Sequence, residues 1–470
     1  MKRHHPKSLT PLFVAASLVT GAPVWAQGNE PAGNAQASNE AVLKRIDALM
    51  HEIEALKAQV QANEEKASRA ESEMRALAAK TVVPPVNPTE EQGLSRQATR
   101  EVTDSTGDAE GIEVVKSSKA NIKFYGMIDV GVETVRGTLA DSKDAKSIRV
   151  SNGIVTPHFG LIGNGTLAHG LQASFNLEGS FAPDNGTSGI GGRLFGRQAW
   201  VGLSGGFGTV RLGRQYTAVR MGWEDANPYG TGNQGLRLLD PRISNPRADN
   251  AITYIGQWGG LTASANYSGG WDAVNGNAAN TGPANSAGAN CPGELPDVEN
   301  QCKEWSVALK YDAKAWGVAA AHEHLHGGTS NTFGGLTVEG KTDTRSVLGA
   351  YVKLPGGTKL TAGWIRRDNL GSATPRSNLY WTEAIVPLGG PWFLDALVGD
   401  LRFENSPNKA LLVNVRGRYV LTKDTTLYLT AAHMANDGTL ALPATASTPL
   451  PTPKAGSGQT SIIAGVLYKF

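Results

Sequence analysis

The sequence predicts an all-β protein: a sixteen-stranded antiparallel transmembrane β-barrel, preceded by one coiled-coil helix. Three observations predict it. From Asn121 onward the apolar pattern has a period of two, the signature of strands with two different faces. The connections between these runs alternate between short and long. No stretch beyond residue 26 holds the ~18 continuous apolar residues of a membrane-crossing helix. Composition agrees, because 57 of 470 residues are Gly, about 12% against a usual ~7%. The 2 Cys exclude a disulfide-dense scaffold and a Cys-rich metal module.

The N-terminus predicts export. Lys2, Arg3 and Lys7 form a positive start, Leu12–Val24 is apolar, and Val24-Trp25-Ala26 places small residues before a cut. Residues 1–26 are therefore read as a signal peptide and 27–41 as a flexible lead. The 44 basic residues of the whole chain less those three are 41, against 42 acidic ones. That near-neutral balance makes no electrostatic case for nucleic-acid binding.

Residues 42–80 carry apolar residues at heptad spacing. Ile46, Leu49, Ile53, Leu56 and Val60 are the expected core of a coiled-coil stalk, with the weaker Asn63, Ala67 and Ala70 continuing the stripe. Pro84, Pro85 and Pro88 end it, and 81–120 reads as a periplasmic linker. At 1.5 Å per residue such a stalk would be about 54 Å long, enough to reach toward the cell wall.

The strands are expected at about 121–136, 148–163, 165–180, 194–205, 206–217, 248–258, 259–270, 303–313, 314–326, 343–354, 356–368, 378–389, 390–403, 409–421, 423–434 and 460–470. Turns such as Gly163-Asn164-Gly165 and Gly259-Gly260 alternate with long polar connections such as 218–247 and 271–302. Short turns at one rim and long loops at the other fit a barrel in a bilayer. On 409–421, Leu411, Val413, Val415 and Tyr419 alternate with Asn414, Arg416 and Arg418. The polar face must line something wet, and sixteen strands are wide enough to enclose an aqueous channel.

Particular segments carry a family resemblance. They are Phe124-Tyr125-Gly126-Met127-Ile128-Asp129-Val130, Gly170–Glu178, Leu194–Ser204 running on to Phe207–Tyr216, Arg247–Tyr254, and the aromatic Phe470. Residues 121–470 resemble the general diffusion porins of β-proteobacteria. The resemblance implies a homotrimer in the outer membrane of a Gram-negative bacterium, among outer-membrane lipid and lipopolysaccharide. It also implies a third external loop, here 218–247, folded into the barrel as a constriction. Glu224, Asp225, Arg237, Asp240 and Arg242 are the candidate loop charges, and Arg197, Arg211, Arg214, Arg416 and Arg418 the candidate wall charges opposite them. The second strand departs from the family pattern: Pro157-His158-Phe159-Gly160 stands where Ser-Arg usually precedes the aromatic and Gly. The stalk is not part of the common pattern either.

The expected function is passive diffusion of small hydrophilic solutes and ions by size exclusion, with a weak anion bias. A substrate-selective channel is the alternative within that class. A structural or adhesive protein joined to the periplasm or cell wall by its stalk is the alternative outside it. No nucleophile with a base and an orienter can be placed, so no enzyme and no cofactor is expected. His322-Glu323-His324-Leu325-His326 invites a metal reading, but the three His share one strand face near the outer rim and are read as rim polar residues, with no metal assigned. Cys291 and Cys302 lie in one external loop of an exported chain and are expected to be disulfide-bonded.

Overall fold

The computed structural model describes residue 54 and residues 111–117, 120–137, 146–230, 232–273, 289–294, 299–329, 331, 333–447 and 452–470. Nineteen strands join one sheet. They are β1 (Ile112–Lys116), β2 (Ala120–Arg136), β3 (Lys146–Asn152), β4 (His158–Thr166), β5 (Gln172–Ser180), β6 (Gln198–Gly205), β7 (Gly208–Tyr216), β8 (Arg247–Ala248), β9 (Ala251–Trp258), β10 (Leu261–Ser268), β11 (Glu304–Asp312), β12 (Trp316–His326), β13 (Thr342–Lys353), β14 (Lys359–Asn369), β15 (Arg376–Gly389), β16 (Trp392–Phe403), β17 (Lys409–Val420), β18 (Thr425–Asp437) and β19 (Gln459–Lys469). Each strand from β9 to β19 pairs antiparallel with the next, and β19 pairs with β2 from Thr460↔Arg136 to Lys469↔Met127, closing the ring. Closure leaves no long edge unpaired, which a bilayer requires.

Three strands do not count as separate staves. β3 and β4 both pair with β2 and are two halves of one strand. β8 and β9 both pair with β7 and are likewise one. β1 lies outside the ring, against Asn121–Phe124 of β2. The barrel therefore has the sixteen staves expected, each overlapping its expected range.

Two local departures have physical causes. The strand expected at 148–163 breaks at 153–157. There the Asp129 carboxylate accepts the Val155 N–H at 2.7 Å and the Tyr428 hydroxyl at 2.6 Å, and a Cβ on Gly153 would overlap both groups. Gly163-Asn164-Gly165, expected as a turn, stays within β4. The chain reverses instead at Leu167–Leu171, where His169 and Gly170 take positive φ.

The expected coiled-coil helix needs correction. Its residues 42–80, with the core Ile46, Leu49, Ile53, Leu56 and Val60, lie outside the described residues apart from Glu54, as do the signal segment, the lead and most of the linker. Among the described residues the longest helical element is the five-residue 3₁₀ turn Ala218–Gly222. A coiled coil also needs an unbroken apolar seam, and the sequence interrupts it with one polar and two small residues at 63, 67 and 70. Among the described residues the fold is an all-β barrel, and the periplasmic stalk is withdrawn.

The outward face is apolar and the inward face mixed. Leu411, Val413 and Val415 of β17 are exposed, whereas Asn414, Arg416 and Arg418 are buried. From β9 to β19 the outward face also carries exposed Trp and Tyr in two tiers. Tyr267, Trp305 and Tyr380 lie toward the long-loop rim, and Trp258, Tyr311, Trp316, Trp392 and Tyr468 toward the short-turn rim. Such tiers mark the two interfaces of a bilayer.

Candidate functional site

The segment 217–246 leaves the wall and crosses the lumen. At its start Thr217 Oγ1 donates to Glu323 Oε1 (3.1 Å), and Ser306 Oγ lies 3.0 Å from the Ala218 N–H. The 3₁₀ turn Ala218–Gly222 then lies on β11–β13. Trp381 Nε1 donates to the Ala226 carbonyl (2.8 Å), and the Tyr229 N–H donates to Glu383 Oε2 (2.7 Å). Arg416 Nη1 donates to the Tyr229 carbonyl (3.1 Å), and Gln234 Nε2 to Ser461 Oγ (2.7 Å). Asp240 caps the short helix Pro241–Ser244 by accepting the Arg242 N–H at 2.8 Å, with Pro241 in the first turn.

Packing reinforces these bonds. Val219, Trp223, Leu236, Leu238, Leu239 and Ile243 of the loop are buried against inward-facing Val347, Ile365, Leu379, Leu397, Leu412 and Met434. Burying one such side chain is worth about 1.5–3 kcal/mol. The inner wall is therefore not uniformly wet: the stretch β11–β18 supplies an apolar bed for the loop.

The expected loop charges fall into two groups. Asp240 and Arg242 face the wall. Arg242 grips Glu323 through Nε (2.9 Å) and Nη2 (2.8 Å), and Arg345 Nε lies 3.0 Å from Asp240 Oδ2. Burial works to raise the Asp240 carboxyl, but Arg345 and Arg367 outweigh it and hold the group below its usual value. Arg237 is half-buried, and the loss of water around it pushes its guanidinium down to about 10. Glu224 and Asp225 are half-exposed; Glu224 pairs with Arg220 (3.1 Å) and Asp225 with Lys310 (2.7 Å).

The expected wall arginines also separate. Arg416 and Arg418 both hold Asp395, at 2.7 and 2.6 Å, beneath the loop rather than opposite it. Arg214 sits at the outer rim, on Asp249 (2.7 Å) and the Gly196 carbonyl (2.6 Å). Arg211 stacks over Trp200, 4.2 Å from the ring centroid, and Arg197 Nε reaches Glu178 Oε1 at 2.5 Å.

Around Tyr216 the structure gathers the expected Arg197 with charges that pattern reading missed. The guanidinium of Arg220 lies 3.8 Å from the ring centroid and that of Arg247 4.2 Å, while Arg197 Nη2 donates to the hydroxyl at 3.2 Å and Arg247 also bonds it. Glu178 answers them, accepting the Tyr125 hydroxyl at 2.7 Å with His158 Nε2 at 3.9 Å. His158 thus joins this cluster where an arginine was expected. Alternation could have found Glu178, which faces inward on β5. Nothing in the pattern pointed to Arg220 or Arg247, because both lie in or beside the loop.

A profile described as Gram-negative porin matches residues 109–439. The chain belongs to that family. The match starts beyond residue 80, so it lends nothing to a coiled-coil stalk. It does place this porin in the outer membrane and in a non-catalytic class. An outer membrane porin protein of Bordetella pertussis is 32% identical over 160 residues, covering 31% of this chain and 41% of that protein. Major outer membrane protein P.IB of Neisseria meningitidis serogroup B is 31% identical over 158 residues, covering 32% and 45%. In both cases the chain spans less than half the relative's length. Outer membrane porin protein 32 of Delftia acidovorans is 26% identical over 382 residues, covering 75% and 95%. Among solved structures, the anion-selective porin from Comamonas acidovorans superposes with a TM-score of 0.58 at 23% identity, covering 75% of this chain and all of that one. OmpT of Vibrio cholerae does so with 0.53 at 13% identity, covering 76% and 100%. These likenesses are likenesses of fold.

In this porin the loop between β10 and β11 carries a disulfide, Cys291–Cys302, as expected. Both Cys are buried with Trp271, Leu325 and Leu336 in a small external core. Beside it Arg193 bridges Asp249 (3.1 Å) and Asp272 (2.5 Å), so three external loops meet over the root of the inward segment. Burial pushes the Asp272 carboxyl up despite Arg214 and Arg193.

Proposed function

We propose that this porin passes small hydrophilic solutes and ions by passive diffusion through a water-filled channel, with a weak preference for anions. The observation that carries this reading is the inward segment pinned along β11–β19. Asn233 also ties the segment to Asn152 and Gly153 at the β3–β4 break, and the passage is read as running between the loop and the wall of β4–β9. The charges taken to set its field are Arg197, Arg211, Arg220, Arg247 and Lys310, against Glu178, Glu224 and Asp225, with Arg197, Arg247 and Glu178 buried behind the surface. A solute crosses without chemistry, sorted by size and by the field of these groups. Arg416, Asp240 and Arg242 act by holding the loop in place, while Arg418 holds Asp395.

Planar-bilayer recordings on the purified, folded protein test this. Stepwise, roughly ohmic conductance is expected, with an anion/cation permeability ratio modestly above one. No conductance steps would end the pore reading. Saturable block of the current by one solute at micromolar concentration would favour a substrate-selective channel instead.

The porin is further proposed to act as a homotrimer among outer-membrane lipid and lipopolysaccharide. Support comes from the outward face: among the described residues, β2–β7 carry no exposed Trp or Tyr, but Val132, Ile148, Val150, Val201, Leu203 and Leu212 instead. A wall without interfacial Trp or Tyr fits contact with protein rather than lipid. The mass of the detergent-solubilised protein decides it, and a monomer at all concentrations would refute it.

A further inference from the structure

The outward face of β12 holds a group that permeation does not use. His322, His324 and His326 alternate with the inward Glu323 and Leu325, so their imidazoles point away from the lumen, near the long-loop end of the strand. Trp305 of β11 pairs with His324 and lies between the first two rings. Its centroid is 5.4 Å from that of His322 and 5.7 Å from that of His324, the latter almost parallel at 6°. His322 is already engaged, with Nδ1 2.9 Å from Ser346 Oγ.

His324 and His326 are not engaged in this way. Their ring centroids are 4.6 Å apart, tilted by 47°, and among the described residues no hydrogen bond holds either imidazole. Trp305 supports one ring of the pair by stacking. Imidazole is the commonest metal ligand among side chains.

The spacing matches a chelate. A metal–nitrogen bond of about 2.0–2.1 Å puts an imidazole centroid ~3.2 Å from the ion. Two centroids 4.6 Å apart then subtend roughly 90° at the metal. That is the angle between neighbouring ligands in tetragonal or octahedral coordination, whereas a tetrahedral ion would hold the rings ~5.3 Å apart. Among the described residues no group of three His, Cys, Asp or Glu is placed to share an ion. Water would complete the shell, as the rim position allows.

We propose that His324 and His326 form a two-histidine site for a divalent transition metal on the outer rim of the barrel. Cu(II) is the favoured ion, since it tops the affinity order for imidazole sites and takes tetragonal geometry. The site goes beyond permeation and does not depend on it, because both rings lie on the opposite face of the wall.

Titrating the folded full-length protein in detergent with Cu(II) tests the site, read by electron paramagnetic resonance and by quenching of tryptophan emission. The expected signal is a tetragonal Cu(II) with two nitrogen ligands and quenching that includes Trp305. His324→Ala or His326→Ala should each weaken binding by about ten-fold or more, and the double change should abolish this component. His322→Ala should leave it within about two-fold. His4, His5 and His51 can add background, so the component is the difference between the parent chain and the double variant. Equal signals from the two would overturn the proposal. If the Ala variants fail to fold, the pair His324→Gln and His326→Gln preserves side-chain bulk, and an unchanged Cu(II) spectrum there overturns it equally.

Discussion

Gly349 of β13 lies directly beneath Gly222 of the inward segment, and neither position has room for a side chain. A Cβ on Gly349 would overlap the Gly222 carbonyl oxygen, and one on Gly222 would come within 2.9 Å of the Cβ atoms of Ala321 and Val347. The two glycines let the segment lie flat on the wall. Gly349→Val should lift it and partly block or reshape the passage. Single-channel conductance should shift and become more variable between openings. An unchanged, quiet conductance would mean that the segment's position does not limit flow.

Arg242 and Glu323 form the second fastening. Removing one partner of a buried pair strands the other and typically costs about 3–5 kcal/mol. Arg242→Ala should therefore loosen the loop while the barrel persists. Limited proteolysis should then cut within 218–247 at a rate at which the parent chain resists. Equal resistance would show that the apolar bed alone is sufficient.

Arg220 and Arg247 flank Tyr216, and Arg220 also pairs with Glu224 at 3.1 Å. Changing both to Gln should lower the anion/cation permeability ratio toward one or below. The drop should be largest at low salt, where screening is weakest. Reversal potentials across a salt gradient measure it, and an unaltered ratio would move the selectivity elsewhere.

Asp240 gives the loop a pH dependence with a definite sign. Its carboxyl is held below the usual value, so its stabilising effect is complete above the unfolded value near ~3.9. The effect is lost as pH falls through the lower folded value. Conductance should stay constant from neutral pH to about pH 4 and change only under stronger acid. In Asp240→Asn the acid-induced change should vanish. A transition centred near neutrality would contradict this assignment.

Cys291 and Cys302 close a short external loop, worth about 3 kcal/mol of local order on the chain-entropy account. Changing both to Ser should expose the 271–302 loop to protease yet leave conductance intact. Peptide mass spectrometry without reduction should find the two Cys linked in the parent chain, and two alkylatable thiols would refute the bond.

The staves were legible because each repeats one simple pattern, a period of two bounded by turn residues. Leu411 to Arg418 could be read outward and inward without a structure. The inward loop was not legible in the same way. Leu236, Leu238, Leu239 and Ile243 follow no period, since each fills a gap in a wall formed by residues more than a hundred positions away. The roles of Arg416 and Arg418 were obscured for the same reason. Alternation put them inside the barrel, but only the path of the loop decides whether an inward arginine meets solute or is covered. Gly153 shows a third limit. Pattern carried the strand straight through it, whereas the Asp129 carboxylate, a whole stave away, bends it.

The seam between β2 and β19 sets an order of events in time. Met127 pairs with Lys469, and Phe470 exchanges hydrogen bonds with Gly126. The first stave to emerge from export thus waits for the last, and until it arrives the growing sheet shows two raw edges to any neighbour. Pairing so distant in sequence is slow to find. For this chain the exposed interval is the one before the final stave docks.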